Sequence, residues 1–125
     1  MIEIISNKKE GSGFDVLHTF CTWKLAFISY AEHYGKLKLL KRHTETDEAF
    51  LLINGSGVIF SSEDGENPQK TVLQKEKLYV VKKGTWHHLQ VSSDALLLAV
   101  ENSDTSKENT ETLIITEKET HEVNK

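Results

Sequence analysis

The sequence predicts an all-β chain of antiparallel strands closed into a sandwich or barrel. Three observations carry this. Val, Ile, Leu, Phe and Tyr fall in short bursts separated by Gly, Asn, Asp and Ser, proline occurs only at Pro68, and no segment holds a long helical period. At 125 residues the chain suits one domain large enough to bury most of its apolar surface.

Taken in order, "WKLAFISY" (Trp23 to Tyr30) and "KLKLLKR" (Lys36 to Arg42) read as strands parted by the glycine-containing "AEHYG". "EAFLLI" (Glu48 to Ile53) and "GVIFSS" (Gly57 to Ser62) flank "NGS", a hairpin signal because Asn and Gly tolerate positive φ. The polar turn "SEDGENPQ" follows, and then "KTVLQ", "KLYVV", "HHLQV" and "ALLLAVE", each of ordinary strand length. The domain is expected over residues 1–101. Residues 102–125 turn polar, with "TLIIT" the one apolar stretch, and read as a surface-lying tail from which a short strand could add to a sheet. "MIEII" at the start could add in the same way. Exposed sheet edges invite association, so a homodimer by edge pairing is expected.

Hydrophobic residues at 38% and charged residues at 27% are ordinary for a globular chain, and no apolar run is long enough to span a membrane. The net charge of −4, with lysines scattered, gives no footprint for nucleic acid or anionic membranes. The start lacks the basic-then-apolar order of a secretory signal. The single cysteine, Cys21, rules out an internal disulfide or a thiolate cluster and reads as a small buried residue, so a cytoplasmic setting is expected.

Strand parity singles out a group of reactive side chains. Leu39, Lys41 and His43 share one face, as do Glu48, Phe50 and Leu52, and His87, Leu89 and Val91; the apolar members turn each set inward. An ionised Glu48 in an apolar interior needs a partner. Two histidines and a carboxylate suit a divalent ion, and Lys41 is the alternative partner, neutralising Glu48 without metal.

This pattern resembles the first motif of the cupin superfamily: glycine, five residues, histidine, one residue, histidine, three or four residues, glutamate, six residues, glycine. Gly35, Lys41, His43, Glu48 and Gly55 stand at those places, with lysine in the position of the first histidine. "KKGTWH" resembles the end of the second motif through Gly84 and His87, while Lys82, Glu76 and Val91 replace its proline, leading glycine and closing asparagine. The stretches "RHTETDE" and "VKKGTWH" are also similar to those of a group of small single-domain bacterial cupins, for which no activity is implied. Over Trp23 to Glu101 the resemblance implies an antiparallel double-stranded β-helix, the jelly-roll barrel. It further implies iron, manganese, nickel or zinc on His43, Glu48 and His87, and no organic cofactor.

Two functions follow as expectations. One is a metal-dependent isomerase or oxygenase of cupin type acting on a small polar metabolite, with Lys41 and Glu48 catalytic. The other is a metal-free module that binds an anionic or sugar-like ligand, with Lys41 replacing the metal charge. Proton transfer by His43 or His87 alone lacks a visible His/Asp pair. Outside this group, Glu45 reads as solvated, His88 as a surface residue, Asp47 as a partner of Arg42, Glu101 as a strand-end anchor to Arg42, and Trp23 and Trp86 as core or rim aromatics. Tyr30 and Tyr79 carry acidic hydroxyls that could serve a pocket. His18, His33 and His121 read as surface or packing residues.

Overall fold

Asn54, Gly55 and Ser56 make a tight turn, but the strands on either side do not pair. β4 (Glu48–Asn54) and β5 (Gly57–Ser62) lie in different sheets, so the expected hairpin is a corner at which the chain crosses from one sheet to the other. The corner is held by a second corner rather than by its own strands. Asn54 Nδ2 donates to the Asp94 carbonyl, the Ser56 amide to Ser92 Oγ, and the Ser92 amide to the Ser56 carbonyl. Gly55 has φ +76°, and a Cβ there would lie 2.7 Å from Ser92 Oγ and 2.8 Å from Ala95 Cα.

This architecture comes from a computed structural model that describes residues 1–7 and 13–115. The other strands are β1 (Phe14–Phe20), β2 (Trp23–Ser29), β3 (Leu39–His43), β6 (Gln69–Val72), β7 (Leu78–Val81), β8 (Trp86–Val91), β9 (Leu96–Asn102) and β10 (Thr110–Ile114). They form two five-stranded antiparallel sheets, β1-β2-β9-β4-β7 and β10-β3-β8-β5-β6. The all-β jelly-roll barrel read from the sequence is the architecture found. No helix among the described residues is long and apolar enough to cross a membrane.

The main core lies between the sheets, where Ile28, Phe50, Leu52, Ile59, Leu89 and Leu97 meet. A second, smaller core covers the back of the β3-β8-β5 sheet, where Leu37, Leu40, Phe60 and Ile115 pack with Trp86. It explains why Leu40, on the opposite face of β3 from His43, is fully buried. It also explains β10: "TLIIT" is not simply a surface-lying tail, since Thr110 to Ile114 pair with β3 from His43 to Leu39 and Ile115 closes the second core. Residues 116–125, with His121, lie outside the described residues.

Two expectations about the N-terminal part change. "MIEII" forms no strand, and its apolar side chains are exposed. β1, unforeseen, pairs with β2 through a turn at Cys21 and Thr22. That turn has no Gly or Asn to announce it; Cys21 itself takes φ +51° and is exposed, not buried.

The outward face of the β1-β2-β9-β4-β7 sheet is apolar over β2, β9, β4 and β7, while on β1 its rows end in His18 and Asp15. Cross-strand register aligns Leu25, Val100, Ala49 and Val80 in one row and Phe27, Leu98, Leu51 and Leu78 in the next.

The two turn glycines separate strain from close approach. A Cβ on Gly84 (φ +84°) would meet nothing within 4 Å, so Gly84→Ala is expected to cost only the left-handed backbone strain, about 1–2 kcal/mol. Gly55→Ala adds a clash with the backbone of the neighbouring corner and is expected to cost about 3 kcal/mol or more. Urea unfolding measures both, and equal losses would contradict the packed-corner account.

Candidate metal centre

His43 closes β3, Glu48 opens β4 and His87 lies on β8, so three strands from both sheets bring their side chains together at one end of the barrel. The His43 Nε2 is 3.1 Å and the His87 Nε2 3.4 Å from the same oxygen, Glu48 Oε1. All three ligand atoms lie within 4.8 Å of one another. Glu48 is 6% exposed, so its charge meets almost no water.

The outer nitrogens are also held. His87 Nδ1 lies 3.0 Å from the Thr85 carbonyl, and since a carbonyl only accepts, that nitrogen carries the proton. His87 Nε2 then meets the Glu48 carboxylate either as an N–H donor, with both ring nitrogens protonated, or across a cation held between the two. His43 Nδ1 is 2.9 Å from Thr110 Oγ1, a hydroxyl that can donate or accept and so permits either tautomer. The donor set fits a divalent ion. Separations of 3.1 and 3.4 Å match the roughly 3.0–3.4 Å edges expected of ligands about 2.1 Å from one ion. The Thr85 carbonyl and the Thr110 hydroxyl orient both imidazoles as metal-bound histidines are usually oriented.

A second carboxylate joins the group. Glu101 Oε2 is 3.8 Å from His43 Nε2, and its Oε1 is 3.5 Å from Lys24 Nζ. Glu101, expected as a strand-end anchor to Arg42, is instead 8% exposed and faces inward, while Arg42 pairs with Glu111. Parity held the signal: Leu97, Ala99 and Glu101 share one face of β9, and the first two are fully buried.

The two carboxyls are driven in opposite directions. Burial alone would raise Glu48, but the hydrogen bonds and charges of His43 and His87 outweigh it and hold the group down at about 2. Burial and the Glu48 charge push Glu101 up to about 7, against the pull of His43 and Lys24. Burial alone would lower His43, yet the Glu48 hydrogen bond and the two carboxylate charges raise it. Burial, then the charges of Glu48 and Glu101, drive the Tyr34 phenol well above its ordinary range. Tyr34 belongs to the short 3-10 turn Glu32–Tyr34, and Gly13 leaves room for its ring.

The other expected residues scatter. Lys41 stands directly opposite His87 in register, on the barrel-facing side of β3, but its side chain is exposed and Glu48 pairs with histidines instead. Its long stem carries the ammonium out to water. His88 is buried rather than on the surface: it stacks on Phe60, and its Nε2 donates to the Gly35 carbonyl at 2.7 Å. The second core behind the sheet, invisible to simple alternation, covers it. Asp47 pairs with Lys82 and accepts from the Lys83 amide, not from Arg42. Arg42 pairs with Glu111 of β10 and lies 4.5 Å over the Trp86 ring. Glu45 is exposed, Trp23 is an exposed rim aromatic against His18, and His33 rests on Tyr34. Tyr30 is exposed, and the Tyr79 hydroxyl accepts the Gln74 amide.

A cavity of about 320 Å³ adjoins the group. It is lined by Ser61, Thr71, Tyr79, Lys82 and Thr85, with Val81 among its apolar members. Ser61 is opposite His87 and Val81 opposite Glu48 in register, so two of its walls neighbour candidate ligands, although none of the three ligands itself lines the hollow.

The opposed carboxyls give a signed pH dependence. The folded state holds the Glu101 proton between its ordinary 4.5 and about 7, so that group's contribution to stability is lost as pH rises through this window. Glu48 contributes above 4.5 and loses its contribution as pH falls toward about 2. In chelator-treated protein, Glu101→Gln is expected to flatten the decline in thermal midpoint between pH 5 and pH 7. An unchanged decline would contradict the placement of Glu101.

The sequence matches no protein-family model and no curated protein. Solved structures do match. A cupin-2 domain containing protein from Shewanella frigidimarina superposes with a TM-score of 0.60 at 19% identity, over 76% of this chain and 84% of that one. The Streptomyces nucleoside dehydratase Pac13 superposes at 0.63 and 13% identity, over 93% of this chain and 89% of that one. A Neisseria meningitidis protein, NMB1881, does so at 0.58 and 16%, over 77% and 89%. Two antiparallel sheets, the corner at Gly55, the turn at Gly84 and these superpositions agree: the chain has the fold of the cupin superfamily.

Proposed function

We propose that this small cupin holds a divalent metal ion through His43, Glu48 and His87, and binds or transforms a small polar metabolite beside it. The observation that carries the reading is the convergence of the His43, Glu48 and His87 ligand atoms within 4.8 Å, with His87 Nδ1 committed to the Thr85 carbonyl so that Nε2 is the nitrogen left for an ion. An ion of iron, manganese, nickel or zinc would satisfy His87, Glu48 and His43 at once and, when bound, polarise a carbonyl oxygen of the substrate. The chain's own residues supply the rest. The hydroxyls of Ser61, Thr71 and Thr85 give the adjoining hollow polar contacts, and its volume lies at the small end of metabolite sites. Lys41, exposed at the barrel mouth, offers its charge to an anionic substrate group, and Glu48 serves both as ligand and as the fixed charge of the site. That Pac13 is a nucleoside dehydratase, with variants solved with uridine, supports a polar ligand of about that size. The assignment extends to isomerase or oxygenase chemistry in a cytoplasmic homodimer.

One observation favours a second reading. The raised His43 can keep its proton and close the charge of Glu48 without metal. The barrel is then a binding module for an anionic or sugar-like ligand drawn in by Lys41.

Metal content separates the two. Untagged protein purified without chelator is expected to carry near-stoichiometric metal by elemental mass spectrometry. Glu48→Gln and His87→Ala should lose it while remaining folded, and His33→Ala should keep it. Thr110→Val, which removes the hydroxyl behind His43, should weaken affinity by about 10–100-fold. Wild-type protein without metal after reconstitution would leave the binding-module reading standing.

A further inference from the structure

Glu101 is buried beside the three candidate ligands, outside the 4.8 Å group that they form. Strand pairing says where it stands. Ala49 of β4 lies opposite Val100 of β9, and the next step along this antiparallel pair sets Glu48 beside Glu101 on the inner face. Side chains so opposed have Cβ atoms about 4.5–5.5 Å apart. On its other side Glu101 is opposite Lys24 of β2. One sheet therefore presents Lys24, Glu101 and Glu48 in a row, and the other sheet faces the two carboxyls with His43 and His87.

The two oxygens of Glu101 are unequally engaged. Oε1 is 3.5 Å from Lys24 Nζ, and that ammonium donates to the Thr105 carbonyl at 3.2 Å, which fixes it on the side away from the imidazoles. Oε2 is turned to the centre, 3.8 Å from His43 Nε2, too long for a hydrogen bond. The same separation suits two ligands of one ion. Donor atoms about 2.1 Å from an ion stand roughly 3.0–3.4 Å apart at adjacent corners and about 4.2 Å apart at opposite ones. Charge agrees with distance, since two buried carboxylates beside one ammonium and neutral imidazoles leave a net negative charge that a divalent cation balances.

We propose that Glu101 is a fourth protein ligand of the metal ion, supplying from β9 the donor that Lys41, exposed on β3, does not. The inference rests on the metal reading of His43, Glu48 and His87, and it makes the set two imidazoles and two carboxylates. Oxygen ligands then come from one sheet and nitrogen ligands from the other.

Cobalt(II) tests this, because its visible absorption changes with the number and kind of its ligands. The full chain, freed of metal by chelator and reloaded with cobalt(II), is compared with Glu101→Leu, which keeps most of the side-chain bulk and offers no donor atom. Wild-type protein is expected to bind one equivalent. Glu101→Leu, folded by circular dichroism, is expected to show a shifted visible band and an affinity lower by more than about 100-fold, beyond the loss typical of changes outside the metal's own ligands. Should Glu101→Leu fail to fold, Glu101→Asp, whose carboxylate is one methylene short, carries the same band shift. An unshifted band overturns the proposal whatever the affinity, because Glu101 then acts only from outside the ligand shell, and it leaves the three-ligand reading intact. Wild-type protein that takes up no cobalt overturns the metal reading itself and this inference with it.

Discussion

One buried charge governs the open end of this barrel. The Glu48 carboxylate stands where almost no water reaches it, and an ion so placed is tolerated only with close compensating groups. His43 and His87 supply them, and neither imidazole is free to turn, because the Thr85 carbonyl holds one and the Thr110 hydroxyl the other. Glu101 then follows from Glu48. Two adjacent carboxyls cannot both ionise cheaply, so the one without paired imidazoles keeps its proton to higher pH. The outcome is a pair of chemically identical groups set to opposite states by their surroundings, which acid–base chemistry and metal binding can each use.

This charge also ties the C-terminal strand to the site. Thr110 opens β10 directly opposite His43, and the next residues pair along β3 until Ile115 enters the second core. Arg42, alternating with His43, points to the other side of β3, where it joins Glu111 and covers Trp86. β10 therefore does two jobs through one register: its first residue orients a candidate ligand, and its end seals apolar surface behind the sheet. Lys24 has a comparable double role on β2, with Glu101 at 3.5 Å and the Thr105 carbonyl at 3.2 Å.

What the sequence disclosed depended on whether the signal was local. Alternation identified the inward members of β3, β4 and β8, because a strand against one continuous core repeats every two residues. It failed for His88, which faces away from the main core into a second one built partly from β10, a segment distant in sequence. The same alternation holds on β9, where the buried neighbours Leu97 and Ala99 imply an inward Glu101. The Asn-Gly-Ser turn was correctly read as a place of positive φ. Its meaning as a corner between sheets depended on Ser92 and Asp94, nearly forty residues onward. Lys41 matched a ligand position in spacing while its chemistry obeyed solvent instead.

β9 shows how little separates the chemical face of this protein from its apolar one. Leu97, Ala99 and Glu101 line the barrel, while Leu96, Leu98 and Val100, one residue out of phase, form the centre of the outward patch. A slip of one residue would exchange the sets, putting a carboxylate on the apolar exterior and removing it from beside His43. Full pairing of β9 with β2 on one side and β4 on the other opposes such a slip. The β4 bulge after Leu52 absorbs the turn into the corner without disturbing the register from Ala49 to Leu52. The register that keeps Glu101 among the imidazoles is thus the same register that keeps the outward positions of β9 apolar, so site and surface are specified together.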